Sequence, residues 1–91
     1  MDIREKIAII HNLMRVNKFT QAIANCHKLI KLNPNVSYLY NLCGMAYQGN
    51  KQILKSVECF NLALHHDPEN VAAMNNIANS YKSLNQNAKA E

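Results

Sequence analysis

Two prolines, Pro34 and Pro68, stand 34 residues apart in a chain of 91, each after an acid or amide and before a polar residue, in LNPNV and HDPEN. A fixed period of about 20 to 50 residues marks stacked supersecondary units, none of which can bury its apolar face alone. Sliding the sequence by that offset aligns residues 3–36 with 37–70, and 37–57 with 71–91. Ile9, Cys43 and Ile77 fall in register, as do Leu13, Tyr47 and Tyr81, and Leu29 with Ala63. The matches are of residue class more than identity, so the period constrains shape before it constrains chemistry.

Within the period the apolar pattern is helical. SYLYNLCGMAYQGN places Tyr40, Cys43, Gly44 and Tyr47 at i, i+3, i+4 and i+7, one stripe of a helix. Gly44 leaves room for a second helix, with Ser56 as the small opposing residue. ILKSVECFNLALHH gives a second stripe, Ile53, Val57, Phe60 and Leu64, with Lys55, Glu58 and Asn61 outside it. Joined by GNKQ, the two make an antiparallel hairpin, and the same logic predicts helices over 3–16 and 19–32. Pro34 and Pro68 end the second helix of each pair, because proline lacks the N–H and pushes its predecessor out of the α region. Asn33 and Asp67 are then placed to cap the following turn. VAAMNNIANSYKSL predicts a further helix with an apolar stripe of Met74, Ile77, Ala78, Tyr81 and Leu84. Its polar face holds Asn75, Asn76, Asn79, Ser80 and Lys82, and NAKAE reads as the first residues of another helix.

These residues resemble the tetratricopeptide repeat family, whose 34-residue unit follows W-x2-L-G-x2-Y, then A-x3-F, then P. The second repeat supplies Tyr40, Cys43, Gly44, Tyr47, Ser56, Phe60, Ala63 and Pro68. The first keeps Ile9, Leu13, Ala22, Cys26, Leu29 and Pro34, but has Lys6 in the aromatic place and Ile10 where a small residue is expected. The third keeps Met74, Ile77, Ala78, Tyr81 and Ala90, and departs at Asn87 and Glu91. The resemblance covers nearly the whole chain. It implies an all-α fold, a right-handed α-solenoid of antiparallel helix pairs with about five helices. The implied organisation is a single domain over 1–91, with repeat 1 at 3–36, repeat 2 at 37–70 and a partial repeat or capping helix at 71–91. It leaves open a capped stack or the amino-terminal segment of a longer protein, in which the repeats would present or dimerise an enzyme such as a transferase.

Composition excludes several classes. No run of about 18 apolar residues exists to cross a membrane, and MDIREKIAIIHNLM lacks the layout of a signal peptide, so a soluble, cytoplasmic protein is expected. Cys26, Cys43 and Cys59 form no C-x-x-C pair and are expected to be reduced, buried thiols. The net charge of +4 comes from lysines scattered singly, mostly on second helices and turns. They do not interleave with the four tyrosines along one surface, which counts against nucleic-acid binding.

LHHDPEN offers His65, His66 and Asp67 as candidate metal ligands. Adjacent helix positions point about 100° apart, however, and nothing nearby completes a tetrahedral set. His66 takes an aliphatic position of the repeat and His65 faces solvent at a helix end that favours a cation. No glycine-rich phosphate loop, Ser-His-Asp order or paired carboxylates appear. Cys43 with His11 is the one nucleophile and base pair worth naming, and Cys43 sits at a core position. No catalytic residue, metal or cofactor is expected, and the chain is expected not to be an enzyme.

The favoured functional surface is the concave face that stacked helix pairs line with their first helices and use to hold peptides or partner helices. By the resemblance, its positions hold Arg4, Ile7, His11, Met14 and Arg15; then Tyr38, Asn41, Met45 and Gln48; then Asn75, Asn79 and Lys82. Apolar Ile7, Met14, Tyr38 and Met45 sit there among amides able to bond a peptide backbone. The basic clamp by which a subclass grips acidic chaperone tails is missing, its places holding Ile7, His11, Leu42, Ala72 and Asn76. The expected role is therefore a scaffold for a protein or peptide partner. The alternative is self-association into a homo-oligomer through Ile7, Ile10 and Met14, since the first helix carries more apolar residues than one stripe needs.

Overall fold

The first helix of each unit begins at Ile3, Ser37 and Val71 and the second at Phe19 and Ile53, so both starts recur at 34 residues. The elements are α1 (Ile3–Arg15), α2 (Phe19–Leu32), α3 (Ser37–Gly49), α4 (Ile53–His66) and α5 (Val71–Ala90). This computed structural model describes residues 1–90, with side chains as far as Gln86, so the readings of the side chains at Asn87, Ala90 and Glu91 lie outside the described residues. All the described elements are helical, and no described helix is long and apolar enough to cross a membrane.

Side chains and proline set the helix ends. Asp2 Oδ1 accepts from the Glu5 N–H at 3.0 Å to start α1, and Asn70 Oδ1 accepts from the Ala73 N–H at 3.0 Å to start α5. Asp67 caps its turn as expected, accepting from the Glu69 N–H at 3.1 Å. Asn33 does not; its Nδ2 donates back to the Leu29 carbonyl at 3.0 Å and closes α2 instead. The helix expected to open at NAKAE is also absent, because α5 runs unbroken to Ala90. In the earlier units the chain leaves the helix through a residue at positive φ, Asn17 at 63° and Lys51 at 64°. The residue one period later, Asn85, stays helical, and nothing around it breaks propagation.

α3 is the centre of the molecule, packed against α2, α4 and α5. Leu39, Leu42, Cys43, Gly44 and Ala46 are all buried, so apolar contact surrounds the helix rather than following one stripe. Around it Ile10, Ala22, Cys26, Leu29 and Cys59 complete one core. A Cβ on Gly44 would lie 2.5 Å from Phe60 Cε1, so the ring of Phe60, not Ser56, occupies the space the glycine leaves. One period earlier the same two positions hold Ile10 and Cys26, both buried. Large and small have changed sides, which conserves volume across the helix pair.

Two apolar stripes are rotated from expectation. On α4 the buried residues are Ser56, Cys59, Phe60 and Ala63, with Val57 and Leu64 only half-buried. On α5, Ala73 and Ser80 are buried and Asn76, Ile77 and Leu84 half-buried, while Met74, Ala78 and Tyr81 are exposed. The physical reason is that Asn76 and Ser80 find polar partners on α3 and α4, which makes their burial affordable.

Candidate partner-binding face

Three side-chain pairs sew the first helices of the units together. His11 Nε2 and Tyr38 Oη lie 2.9 Å apart between α1 and α3. Between α3 and α5, Asn76 Nδ2 donates to Asn41 Oδ1 at 3.0 Å and Gln48 Nε2 donates to Ser80 Oγ at 3.1 Å. Ser80 Oγ also lies 2.9 Å from Ser56 Oγ, whose hydroxyl reaches the Ile53 carbonyl at 2.6 Å. Among the described residues every buried side-chain nitrogen and oxygen has a partner, so this face is held in one arrangement.

These bonds sort the residues expected in the groove. Asn41 is buried, with its Oδ1 on Asn76 and its Nδ2 3.8 Å from Met45 Sδ, and Gln48 is half-buried on Ser80. Their amides serve the joint between α3 and α5. Arg4, His11, Arg15, Tyr38, Asn75, Asn79 and Lys82 are exposed, and Ile7, Met14 and Met45 are half-buried. Of the three residues expected to self-associate, Ile7 and Met14 keep some exposure, but Ile10 has none. Its position between α1 and α2 makes it a core residue, because the partner position holds the small Cys26. The apolar surface of α1 is instead Ile3 and Ile9, with Val16 just past its end.

The sequence reading missed the inward turn of Asn76 and Ser80. Its own register held the signal, since one period earlier these positions are Leu42 and Ala46, both buried.

His11 does not pair with Cys43, because its Nε2 is engaged by Tyr38. The imidazole near Cys43 is that of His27, at 4.0 Å from Sγ, and its Nε2 lies 2.7 Å from Tyr47 Oη. Hydrogen bonding with Cys26, with burial adding to it, pushes the Cys43 thiol from 9.0 up to about 12. The hydrogen bond with Cys43 and burial raise Cys59 as well. Protonated thiols are poor nucleophiles, so Cys43 and Cys59 serve packing, and Cys26 is buried beside them in the same core. His66 stacks flat on Tyr40, ring centroids 4.9 Å apart at 14°, and His65 lies exposed, edge-on to it at 5.2 Å. Among the described residues no three His, Cys, Asp or Glu side chains are placed to hold a metal ion.

No family model matches the chain. Over 62 residues it is 34% identical to the protein O-mannosyl-transferase TMTC3 of Mus musculus and, again over 62, 32% identical to that of Homo sapiens. Each match takes in 68% of this chain and 7% of the relative, so the chain spans only a small part of those proteins. Among solved structures, the first TPR domain of the human RPAP3 protein superposes with a TM-score of 0.86. That likeness covers 94% of this chain and 68% of the other, at 19% sequence identity. The paired helices, their 34-residue recurrence and this superposition give the chain the fold of a tetratricopeptide repeat domain.

Proposed function

We propose that the chain is a protein-interaction module that holds a peptide or partner helix against α1, α3 and α5. The observation that carries this reading is the bonded row of first helices, which fixes a preformed face at low ordering cost. Tyr38 is its exposed aromatic anchor, Met14 and Met45 are adaptable apolar floor, and Asn75 and Asn79 are free to bond a backbone. The repeat register assigns the exposed Arg4, Arg15 and Lys82 to the same face, which would favour a partner with acidic flanks. The module acts without catalysis of its own in this reading, and its three free thiols suit a reducing compartment such as the cytoplasm.

Selection of binding peptides from a displayed library, followed by titration of Tyr38→Ala with Asn75→Ala, tests the proposal. The double variant should lose at least about tenfold in affinity, as expected for an aromatic anchor and a backbone bond. Unchanged affinity would move the binding surface elsewhere. A second reading, self-association through α1, is favoured by the exposure of Ile3, Ile9 and Val16. Light scattering that finds a monomer at high micromolar concentration removes it.

A further inference from the structure

The repeat makes each helix pair a control for the other. In the pair α3 and α4 the groove is closed by Tyr40, which lies on His66 at 4.9 Å and donates its hydroxyl to the Pro34 carbonyl at 2.6 Å. One period earlier these two positions are Lys6 and Leu32, and neither can replace a stacked ring. A cavity of about 240 Å³ opens there between α1 and α2. Ile9, Ile10, Leu29 and Leu32 supply its apolar wall, and Lys6 and Lys28 its charge. Leu32 is left 70% exposed, whereas His66 is half-buried under its ring. No acid lines the cavity, although Asp2 caps α1 and Glu5 lies on its exposed first turn.

The missing group is thus a ring, and the two uncompensated lysines specify the charge beside it. The volume falls below the range of about 300–1,000 Å³ usual for whole small-molecule sites and is of the order of a single aromatic residue. A ring placed on Ile10 and Leu29 regains the buried apolar area, and a neighbouring carboxylate meets Lys6 or Lys28 in a charge-assisted bond. We propose that this cavity is a docking site for an aromatic side chain flanked by carboxylates on a partner polypeptide. It shares no residue with the face of Tyr38 and does not rest on that reading.

The chain has no tryptophan, so the fluorescence of a blocked Glu-Trp-Glu peptide reports binding without background. A saturable blue shift is expected, with a blocked Lys-Trp-Lys peptide giving none. Lys28→Glu, at an exposed position, should weaken binding about three- to fivefold by removing and reversing one partly solvated charge. Lys6→Tyr with Leu32→His rebuilds the pair seen in the second unit and should abolish binding while leaving the thermal melt unchanged or higher. Tyr38→Ala should have no effect. Equal binding of the lysine peptide, or full binding by the rebuilt variant, would overturn the proposal. Should the rebuilt variant fail to fold, Lys28→Glu decides alone, and unchanged affinity there is equally fatal. Sedimentation without peptide closes the remaining route: a dimer that the rebuilt variant disperses would give the cavity to a second copy instead.

Discussion

Cys43 is enclosed by α2 and α4, and its hydrogen bond with Cys26 holds the proton on its thiol until a pH of about 12. In the unfolded chain the same thiol releases its proton near 9.0. Between those values the native state binds more protons than the unfolded state, so stability is complete below about pH 9 and falls as the pH rises towards about 12. Urea unfolding from pH 8 to 10 should show this decline, at most about 1.4 kcal/mol per pH unit for one thiol. Cys43→Ala should make the decline shallower than in the parent, the part that remains falling to Cys59, whose thiol is raised as well, and to lysine and tyrosine titration. The burial of all three cysteines was expected from their residue type, and that of Cys26 and Cys43 from their repeat positions as well. That they meet one another was not, because the offset relates equivalent positions and says nothing of which ones touch.

α1 and α3 end in the same device. The Gln52 N–H bonds the Tyr47 carbonyl at 2.9 Å and the Lys51 N–H the Gln48 carbonyl at 3.0 Å, with Lys51 at a φ of 64°. One period earlier Lys18 reaches Leu13 at 2.8 Å and Asn17 reaches Met14 at 3.0 Å, with Asn17 at 63°. This is a Schellman ending, for which glycine is the usual residue at the left-handed position. Here the nearby Gly49 is the last helical residue, and a Cβ on it would run into the ring of Phe19. Lys51→Gly should therefore raise stability by about 0.5–1 kcal/mol, and Asn17→Gly by less, since asparagine tolerates the left-handed region. Thermal melts of the two variants check the order. The turn at GNKQ was readable from its glycine, yet the conformational burden fell on a lysine two residues on.

At the scale of the molecule, α5 is held by a polar joint in a mostly apolar stack. Asn41→Ala leaves the Asn76 amide facing a void and should cost about 1–3 kcal/mol. Asn41→Ala with Asn76→Ala should cost clearly less than the two single changes added, by about 0.5 kcal/mol or more. Additivity in chemical unfolding would show that the pair does not fix α5. The same joint turns Met74 and Tyr81 outward, at 44% and 49% exposure, and so decides which apolar surface the molecule presents.

The helix limits at 19–32 and 53–66 follow from sequence alone, because apolar periodicity and a proline just beyond each helix act over a few residues of chain. The period itself and the all-helical class follow in the same way. The inward faces of α4 and α5, the pairing of His11 with Tyr38 and the open cavity beside Lys6 were decided by tertiary structure. A polar side chain such as Ser80 can be buried only if another helix brings it a partner, and its partners Ser56 and Gln48 lie 24 and 32 residues away in the chain.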